Sequence, residues 1–331
     1  MSGRQVRKIF VLFMVFMMAI VAAGCGGNAA TSQPAPAAGD ASQASSAKPE
    51  DVRTVKHAMG ETEIKGTPQR VVVLTNEGTE ALLAMGVKPV GAVRSWSGDP
   101  WYDHIKAEME GVVDLGEEPE PNLEEIASLQ PDLILGNKVR QEKVYEQLKA
   151  IAPTVFSEEL SGKWKQNFAL YAEALNKKAE GDKIMADFDQ RVAEAKEKLG
   201  EKTKTKVSVV RFSAKQVRLY QKDTFSGVLL SQLGFARPAS QDKDQFMEAI
   251  TKERMKDIDG DVLFYFNSNT AGDTDATKVQ QEWMKDPLYQ TLQVAKENKA
   301  HEVNEVIWNT AGGIKAANLL LDEILQYFEV K

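Results

Sequence analysis

The chain has 331 residues, of which 43% are hydrophobic and 27% are charged. This length and composition are typical of a folded protein of two ordinary-sized domains, and they exclude a chain that is disordered throughout. The formal net charge is −7 at pH 7. Nucleic acid is therefore an unfavourable partner, because binding to it depends on neutralising phosphates with basic side chains.

Residues 1–24 have the features of a secretory signal peptide. Three basic residues precede an apolar run from Ile9 to Ala23, which is too short and wrongly flanked for a membrane-spanning helix of the mature protein. Removing this segment would take away those three basic residues and no acidic ones, so the net charge would move from −7 to −10. In a chain this acidic, any cluster of arginines is conspicuous.

Cys25, the only cysteine, directly follows the apolar run in "AAGC". This stretch resembles the lipobox of bacterial lipoproteins, although Ala22 stands where Leu is commoner. The resemblance implies that Cys25 is acylated, with palmitate among the usual chains, and becomes the first residue of the mature protein. Several acyl chains together give stable membrane attachment. The alternative is a plain signal peptide cut nearby, with an incidental Cys.

The stretch after Cys25 is rich in Ala, Ser, Gly, Gln and Pro and has almost no large apolar side chain. Such a segment buries too little surface to offset the entropy lost on ordering. We therefore predict a lipid anchor and flexible linker over residues 25–50.

From Arg70 onward, short apolar runs alternate with amphipathic stretches. "RVVVL" is followed by "NEGTEALLAMG", and "PDLILGN" by "QEKVYEQLKAI". Buried strands that alternate with amphipathic helices are typical of parallel α/β architecture.

A long helix interrupts this alternation in the middle of the chain. Ile184, Phe188, Val192 and Leu199 form an apolar stripe with charged residues between them and no proline inside. The α/β pattern then resumes and ends in a terminal helix. The domain boundaries that follow are an N-terminal α/β lobe over 51–175, a connecting helix over 176–200 and a C-terminal α/β lobe over 201–331.

The segment "VSVVRFSAKQVRLYQ" predicts two short strands joined by a tight turn. If the turn centres on Ala214 and Lys215, Arg211 lies directly opposite Arg218, on the same face as Tyr220. Like charges opposite each other in an antiparallel pair are destabilising. We interpret the arginine pair as half of an anion site, in which the ligand relieves the repulsion.

Several segments together resemble the class III substrate-binding proteins of ABC transporters, which bind iron–siderophore complexes, haem or cobalamin. The resemblance runs from residue 52 to the C-terminus and is carried by "TPQRVVVLTNEGTEALLAMGVKPVGAV", "LGEEPEPNLEEIASLQPDLIL", "DTFSGVLLSQLGF" and "NTAGGIKAANLLLDEI". It implies two Rossmann-like lobes joined by a single long rigid α-helix, with the ligand in the cleft between them. That position agrees with the general rule that ligands bind at the carboxyl ends of strands in α/β sheets.

The nearest likeness is to Gram-positive lipoproteins that bind iron(III) in hydroxamate or citrate-derived siderophores, on "VRF", "VRLY" and "GNKVRQEKVY". In such a chelate the siderophore's own oxygens occupy the iron, so the protein needs cations and hydrogen-bond donors rather than metal ligands. The sequence agrees, since its three histidines are widely scattered and have no metal-ligand spacing. We therefore expect no metal-ligating residue and no intrinsic cofactor.

Candidate ligand-binding residues are the cations, aromatics and amides that stand near strand ends in both lobes. They are Arg94, Trp96, Lys138, Arg140, Arg211, Arg218, Tyr220, Trp308 and Asn309. Arginine presents a planar fork that meets carboxylates and chelating oxygens bidentately. Tyr and Trp add apolar contact and one hydrogen bond each. Taken singly, each arginine has an ordinary alternative as a solvated or salt-bridged surface residue.

The resemblance also implies that Glu80 is a surface glutamate that docks to arginines of a permease. Its alternative is an ordinary carboxylate on a helix surface. In the other lobe the matching stretch reads "LSQLG", where Ser231 and Gln232 supply no charge. Docking from both lobes is therefore not indicated by the sequence.

The function that follows is a monomeric receptor, lipid-anchored on the extracellular face of a Gram-positive cell membrane. It would capture a ferric siderophore of the citrate-hydroxamate or hydroxamate type and deliver it to an ABC importer. Alternatives are a binding protein for a catecholate siderophore, haem or cobalamin, a cell-surface interaction protein, and a non-transport hydrolase. We expect no enzymatic activity, since the chain has no nucleophile elbow, P-loop or dinucleotide-binding glycine motif.

Overall fold

A computed structural model describes residues 52–269 and 273–330. The predicted signal peptide (1–24) and the predicted anchor and linker (25–50), with Cys25, lie outside the described residues. Within the part of the chain that is described, no helix combines the length and the apolar character needed to cross a bilayer.

The N-terminal half is built on a five-stranded parallel sheet. Its strands and two flanking hairpins are β1 (Val52–His57), β2 (Gly60–Lys65), β3 (Val71–Val73), β4 (Gly91–Ala92), β5 (Val113–Asp114), β6 (Gly116–Glu117), β7 (Glu120–Pro121), β8 (Leu133–Asn137) and β9 (Thr154–Ser157). Its helices are α1 (Asn76–Ala84), α2 (Leu123–Ser128), α3 (Lys138–Gln141), α4 (Tyr145–Ile151) and α5 (Trp164–Ala174). The sheet has the order β5-β4-β3-β8-β9 and every pairing in it is parallel. The run Val71–Val73 is fully buried, as expected for a central parallel strand with both faces covered.

The predicted long helix is α6 (Lys178–Leu199), with 22 residues. Phe188, Val192 and Leu199 of the predicted stripe are buried, and Ile184 packs against the same core. Near its start, Gly181 faces Ala172 of α5, and a Cβ at Gly181 would stand only 2.5 Å from that methyl group. The glycine therefore permits the close approach of α5 and α6.

The C-terminal half contains a second five-stranded sheet of mixed direction. Its strands are β10 (Val207–Phe212), β11 (Val217–Tyr220), β12 (Met247–Ile250), β13 (Val262–Asn267) and β14 (Ala300–Glu302), and its helices are α7 (Phe225–Leu233), α8 (Asp275–Lys285), α9 (Gln293–Lys296) and α10 (Ile314–Tyr327). In the order β12-β11-β10-β13-β14, the strands β10, β13 and β14 are parallel, while β11 pairs antiparallel with both of its neighbours. Two parallel-strand regions with one long helix between them confirm the predicted fold class, whereas the lobe boundaries at residues 175 and 200 stay a prediction.

Short 3₁₀-helical and π-helical segments complete the described secondary structure. They are the 3₁₀ segments Glu142–Val144, Ser161–Lys163, Gly200–Lys204, Lys252–Ile258 and Tyr289–Thr291, and a π-helical turn at Val306–Thr310.

The predicted register of the β10–β11 hairpin is confirmed. Arg211 pairs with Arg218 across the two strands. The turn is closed by Ser213, whose amide donates to the carbonyl of Gln216 at 3.1 Å and whose hydroxyl donates to the same carbonyl at 2.8 Å. The strand pattern and the turn thus fix two like charges at opposite positions.

One apolar core extends through both halves of the chain beneath the cleft. Trp164 of α5 contacts Phe188 of α6 and Phe225 of α7 edge-on, with ring centroids 5.5 and 6.0 Å apart. Helix α10 packs against α1, α5, α6 and α7. This shared core restricts the relative movement of the two sheets, because large hinge motions would expose apolar surface to water.

Candidate functional site

A cavity of about 440 Å³ lies between the two sheets, where the parallel strands of both end. This volume is within the range of small-molecule sites. Most of the predicted ligand-binding residues line it, namely Trp96 and Arg140 from the N-terminal half and Arg211, Arg218, Tyr220 and Asn309 from the C-terminal half.

Three predicted ligand-binding residues do not line this cavity. Arg94 is half-exposed, and its Nη2 lies 2.7 Å from Asp114 Oδ2. Lys138 Nζ lies 2.8 Å from Glu158 Oε1, and this carboxylate raises the pKa of the lysine. Trp308 is buried and its indole donates to Glu323 Oε2 at 2.6 Å. Arg94 and Lys138 follow the ends of β4 and β8 as predicted, whereas Trp308 lies in a π-helical turn and not at a strand end. Each of the three side chains meets a neighbour outside the cavity.

Replacing Arg94 or Lys138 by Ala is therefore expected to leave ligand affinity within about threefold of the parent value, because charges outside a binding surface act mainly on association rate. Affinity and association rate would be measured for both variants at low and high salt. A loss of tenfold or more in affinity for either variant would contradict the geometry.

Arg211 has a carboxylate partner within the cavity. Its Nε donates to Glu305 Oε1 at 2.9 Å and its Nη2 donates to the hydroxyl of Ser268. Burial raises the pKa of the Glu305 carboxyl, while the Arg211 charge opposes that rise. The sequence interpretation, in which only the ligand relieves the repulsion between the two guanidinium groups, therefore needs correction, since Glu305 offsets one of the two charges.

Arg218 presents the other charge of the hairpin to the cavity and is half-buried. Among the described residues, no carboxylate lies within ion-pair distance of it. Gln216, with its amide oriented so that the oxygen faces the guanidinium, accepts from Arg218 Nε at 2.8 Å. Arg218 thus keeps its full charge available to a ligand.

Arg140 brings a third guanidinium to the cavity from the N-terminal half. Its Nε lies 3.3 Å from Glu118 Oε2, and its guanidinium carbon stands 5.6 Å from the centroid of the Trp96 ring. Glu118 is buried and accepts from the backbone and side-chain nitrogens of Asn76 at 2.7 and 2.8 Å. A carboxylate and an aromatic face thereby hold Arg140 at the cavity wall.

Tyr220 and Asn309 supply neutral polar groups beside the arginines. Tyr220 Oη donates to Asn309 Oδ1 at 3.2 Å, and the Tyr220 ring packs edge-on against Phe266 at 5.2 Å. Burial raises the pKa of Tyr220 to about 12, so the hydroxyl keeps its proton at neutral pH.

The cavity also contains three carboxyl groups that the sequence reasoning missed: Glu77, Glu118 and Glu305. Glu77 and Glu305 follow β3 and β14, so the strand-end signal that indicated the arginines was available for them too, whereas Glu118 stands in the turn of the β6–β7 hairpin. Glu77 is one of the two that are buried. Its Oε1 accepts from Asn167 Nδ2 at 2.6 Å and from Tyr171 Oη at 3.3 Å, while its Oε2 has no partner.

The prediction that Glu80 is a surface docking carboxylate is wrong, because its side chain has no exposed surface. Glu80 Oε2 accepts from the backbone nitrogen of Ala316 in the first turn of α10 at 2.9 Å, and Oε1 lies 2.6 Å from His104 Nε2. Helix α10, which is distant in sequence, covers this face of α1.

Within residues 52–269 and 273–330, no group of three or more His, Cys, Asp or Glu side chains is placed to hold a metal ion. The scattered histidines have other contacts. His57 Nε2 lies 2.9 Å from the Thr62 hydroxyl, and His301 Nε2 lies 3.2 Å from Tyr327 Oη.

Two α/β lobes with a polar, arginine-lined cleft at their strand ends define a solute-binding protein. The comparison with known families agrees: the chain belongs to the periplasmic binding protein family, whose model matches residues 71–305.

Individual relatives are also similar over most of their length. The probable siderophore-binding lipoprotein YfiY of Bacillus subtilis is 54% identical over 86% of this chain and 90% of its own. The achromobactin-binding periplasmic protein of Dickeya dadantii is 32% identical over 78% of this chain and 85% of its own. The crystal structure of Staphylococcus aureus SirA complexed with staphyloferrin B has a TM-score of 0.78 and 36% identity, and the match covers 84% of this chain and 99% of that one.

Proposed function

We propose that this chain is a receptor that captures a ferric siderophore in the interlobe cavity and delivers it to an ABC importer for iron uptake. The observation that carries the proposal is the convergence of Arg140, Arg211 and Arg218, from both lobes, on one cavity. Guanidinium groups suit the anionic oxygens of a chelate that has already saturated its iron. The names of the relatives, which include siderophore-binding proteins, support the same ligand class.

The receptor is held at the membrane by lipid on Cys25 and faces the extracellular side. The sequence around "AAGC" supports this, as does the lipoprotein named among the relatives. We propose that the receptor acts as a monomer and without catalysis, and that the permease meets a surface other than the buried Glu80.

Within the siderophores, we propose a chelate with carboxylate or hydroxamate oxygens, as in the citrate-hydroxamate or hydroxamate types. The neutral donors and acceptors of Tyr220 and Asn309 beside the arginines suit such mixed oxygens. Haem is disfavoured. Of the described lining residues, only Tyr220 has a side chain of a kind that ligates haem iron, and that tyrosine is buried and already bonded to Asn309. Catecholate chelates, which are strongly anionic, are the main competitor.

The test is a titration of intrinsic tryptophan fluorescence with a panel of ligands. The panel contains ferric and iron-free citrate-hydroxamate, hydroxamate and catecholate siderophores, with haem and cobalamin. We expect sub-micromolar binding of at least one ferric citrate-hydroxamate or hydroxamate chelate, and weaker binding of its iron-free form. Absence of binding across the panel would refute the receptor function. Binding of haem alone would refute the ligand class, and ester hydrolysis by the purified chain would favour the hydrolase alternative.

A further inference from the structure

The charges lining the cavity present a problem for an anion receptor. Three arginines line it, and so do the three carboxyl groups of Glu77, Glu118 and Glu305. If all six were ionised, their charges would sum to zero, and the attraction for an anionic chelate would rest on the local charge of Arg218. A carboxyl group that keeps its proton would give the cavity a net positive charge and strengthen that attraction.

The three carboxyl groups differ in their partners. Glu118 lies beside Arg140 and accepts two hydrogen bonds from Asn76, and Glu305 accepts from Arg211. Both of these have a cation within ion-pair distance. Glu77 has none among the described residues, since its partners are the neutral amide of Asn167 and the phenol of Tyr171.

Glu77 is also placed where a charge is costly. It lines the cavity but is only 6% exposed, and its Oε2 is buried without a hydrogen-bond partner. Burial is the main cause that raises the pKa of Glu77 to about 8; the charges of Glu118 and Glu80 add to the rise, and the hydrogen bonds from α5 oppose it. The amino end of α1, in whose first turn Glu77 stands, also favours the ionised form.

The groups that face Glu77 come from four directions. Helix α1 supplies Glu80, helix α5 supplies Asn167 and Tyr171, and the hairpin of β6 and β7 supplies Glu118. The fourth is the segment before α10, whose backbone packs closely against Glu77. A Cβ at Gly313 would stand 3.0 Å from the Glu77 carbonyl oxygen. No cation is among these described neighbours, so the ionisable ones add only negative charge.

We propose that Glu77 is a specificity-determining ligand contact that acts as a neutral carboxylic acid, with Oε2 donating a hydrogen bond to an anionic oxygen of the bound chelate. This inference rests on the proposed function and deepens it. A neutral acid satisfies the orphaned oxygen when the ligand arrives and leaves the cavity with a net positive charge. It also selects ligands that bring an acceptor oxygen to this wall of the cavity.

Binding is then linked to protonation. The sign follows from the raised pKa: the acid form prevails below about pH 8, and above it the site must take up a proton for each ligand bound. Apparent affinity is therefore expected to fall by up to about tenfold for each pH unit above that value.

The experiment titrates the full chain and its Glu77→Gln variant with the ferric chelate that binds best, from pH 6.5 to 9.5. Gln keeps a donor at this position but cannot ionise. We expect the alkaline loss of affinity in the parent chain and its absence in Glu77→Gln. The matched control is Glu197→Gln, at an exposed position of α6, which should keep the parent profile. Thermal melts at each pH verify that all variants are folded, and the absorption spectrum of the free chelate verifies that it is intact.

A second readout does not depend on affinity. The infrared carbonyl band of a protonated carboxylic acid should be present in the ligand-bound parent at pH 7 and missing in Glu77→Gln. Identical pH profiles for parent and Glu77→Gln, or no difference in this band, would overturn the role of Glu77 while leaving the receptor function intact. Absence of ligand binding at every pH would overturn the receptor function and this inference with it.

Discussion

Replacing Arg218 by Ala is expected to weaken binding of the ferric chelate by about 2–5 kcal/mol, which is a loss of roughly thirtyfold to several thousandfold in affinity. Arg218 lines the cavity, and no described carboxylate is within ion-pair distance of it. Its truncation therefore removes a cation that we propose contacts the ligand, and it leaves no protein carboxylate newly unpaired. Isothermal titration of the variant gives the value directly.

Arg211 provides the comparison for this prediction. Its truncation also removes the partner of Glu305, so the measured loss includes the cost of a buried, unpaired carboxyl group. The double variant Arg211→Ala with Glu305→Gln separates the two contributions, because it removes the pair together. Unchanged affinity in both single variants would show that the hairpin arginines do not contact the ligand.

The architecture was predictable because its causes are local. Alternation of apolar runs with amphipathic stretches determines parallel α/β structure wherever it occurs. The stripe from Ile184 to Leu199 determines α6 in the same way. The hairpin register follows from a two-residue turn, and that turn predicts Arg211 opposite Arg218, as the structure has them.

The site was only partly predictable because its chemistry depends on contacts between distant segments. Glu305 stands beside Arg211 although 94 residues separate them, and Glu118 reaches Arg140 from a different hairpin. No periodicity in the sequence encodes such pairs. The sequence pattern indicated cations, aromatics and amides as partners of an anion, so it gave the arginines but not the carboxyl groups that offset their charge.

The same limit applies to Arg94 and Lys138. Both follow a strand, as expected of cleft residues, but each meets a carboxylate outside the cavity, Asp114 or Glu158. Position along a strand gives the edge of the sheet at which a residue lies. It does not give the direction of a long, flexible side chain, which follows the nearest opposite charge.

Glu80→Ala is expected to lower the free energy of unfolding by about 3 kcal/mol. The carboxyl group accepts from the Ala316 amide and lies 2.6 Å from His104 Nε2. Its loss would leave a buried backbone donor unsatisfied, at a cost of about 1–3 kcal/mol, and would create a cavity in addition. Glu80→Gln keeps one acceptor oxygen and should lower the free energy of unfolding by less than Glu80→Ala does. Chemical denaturation of the purified chain measures both values, with Glu197→Ala on exposed α6 as the control that should stay within about 0.5 kcal/mol of the parent.

This experiment also decides between two roles for Glu80. A docking carboxylate on the surface would leave stability and ligand affinity unchanged on substitution, and only delivery to the permease would fail. If Glu80 is instead a buried link between α1 and α10, its substitution should lower stability, and any loss of delivery to the permease would be a consequence of that lower stability. Because Glu80 joins a helix of the N-terminal half to the last helix of the chain, its loss should also loosen the packing beneath the cleft. Parent-like unfolding of Glu80→Ala would contradict the buried contact and restore the surface role.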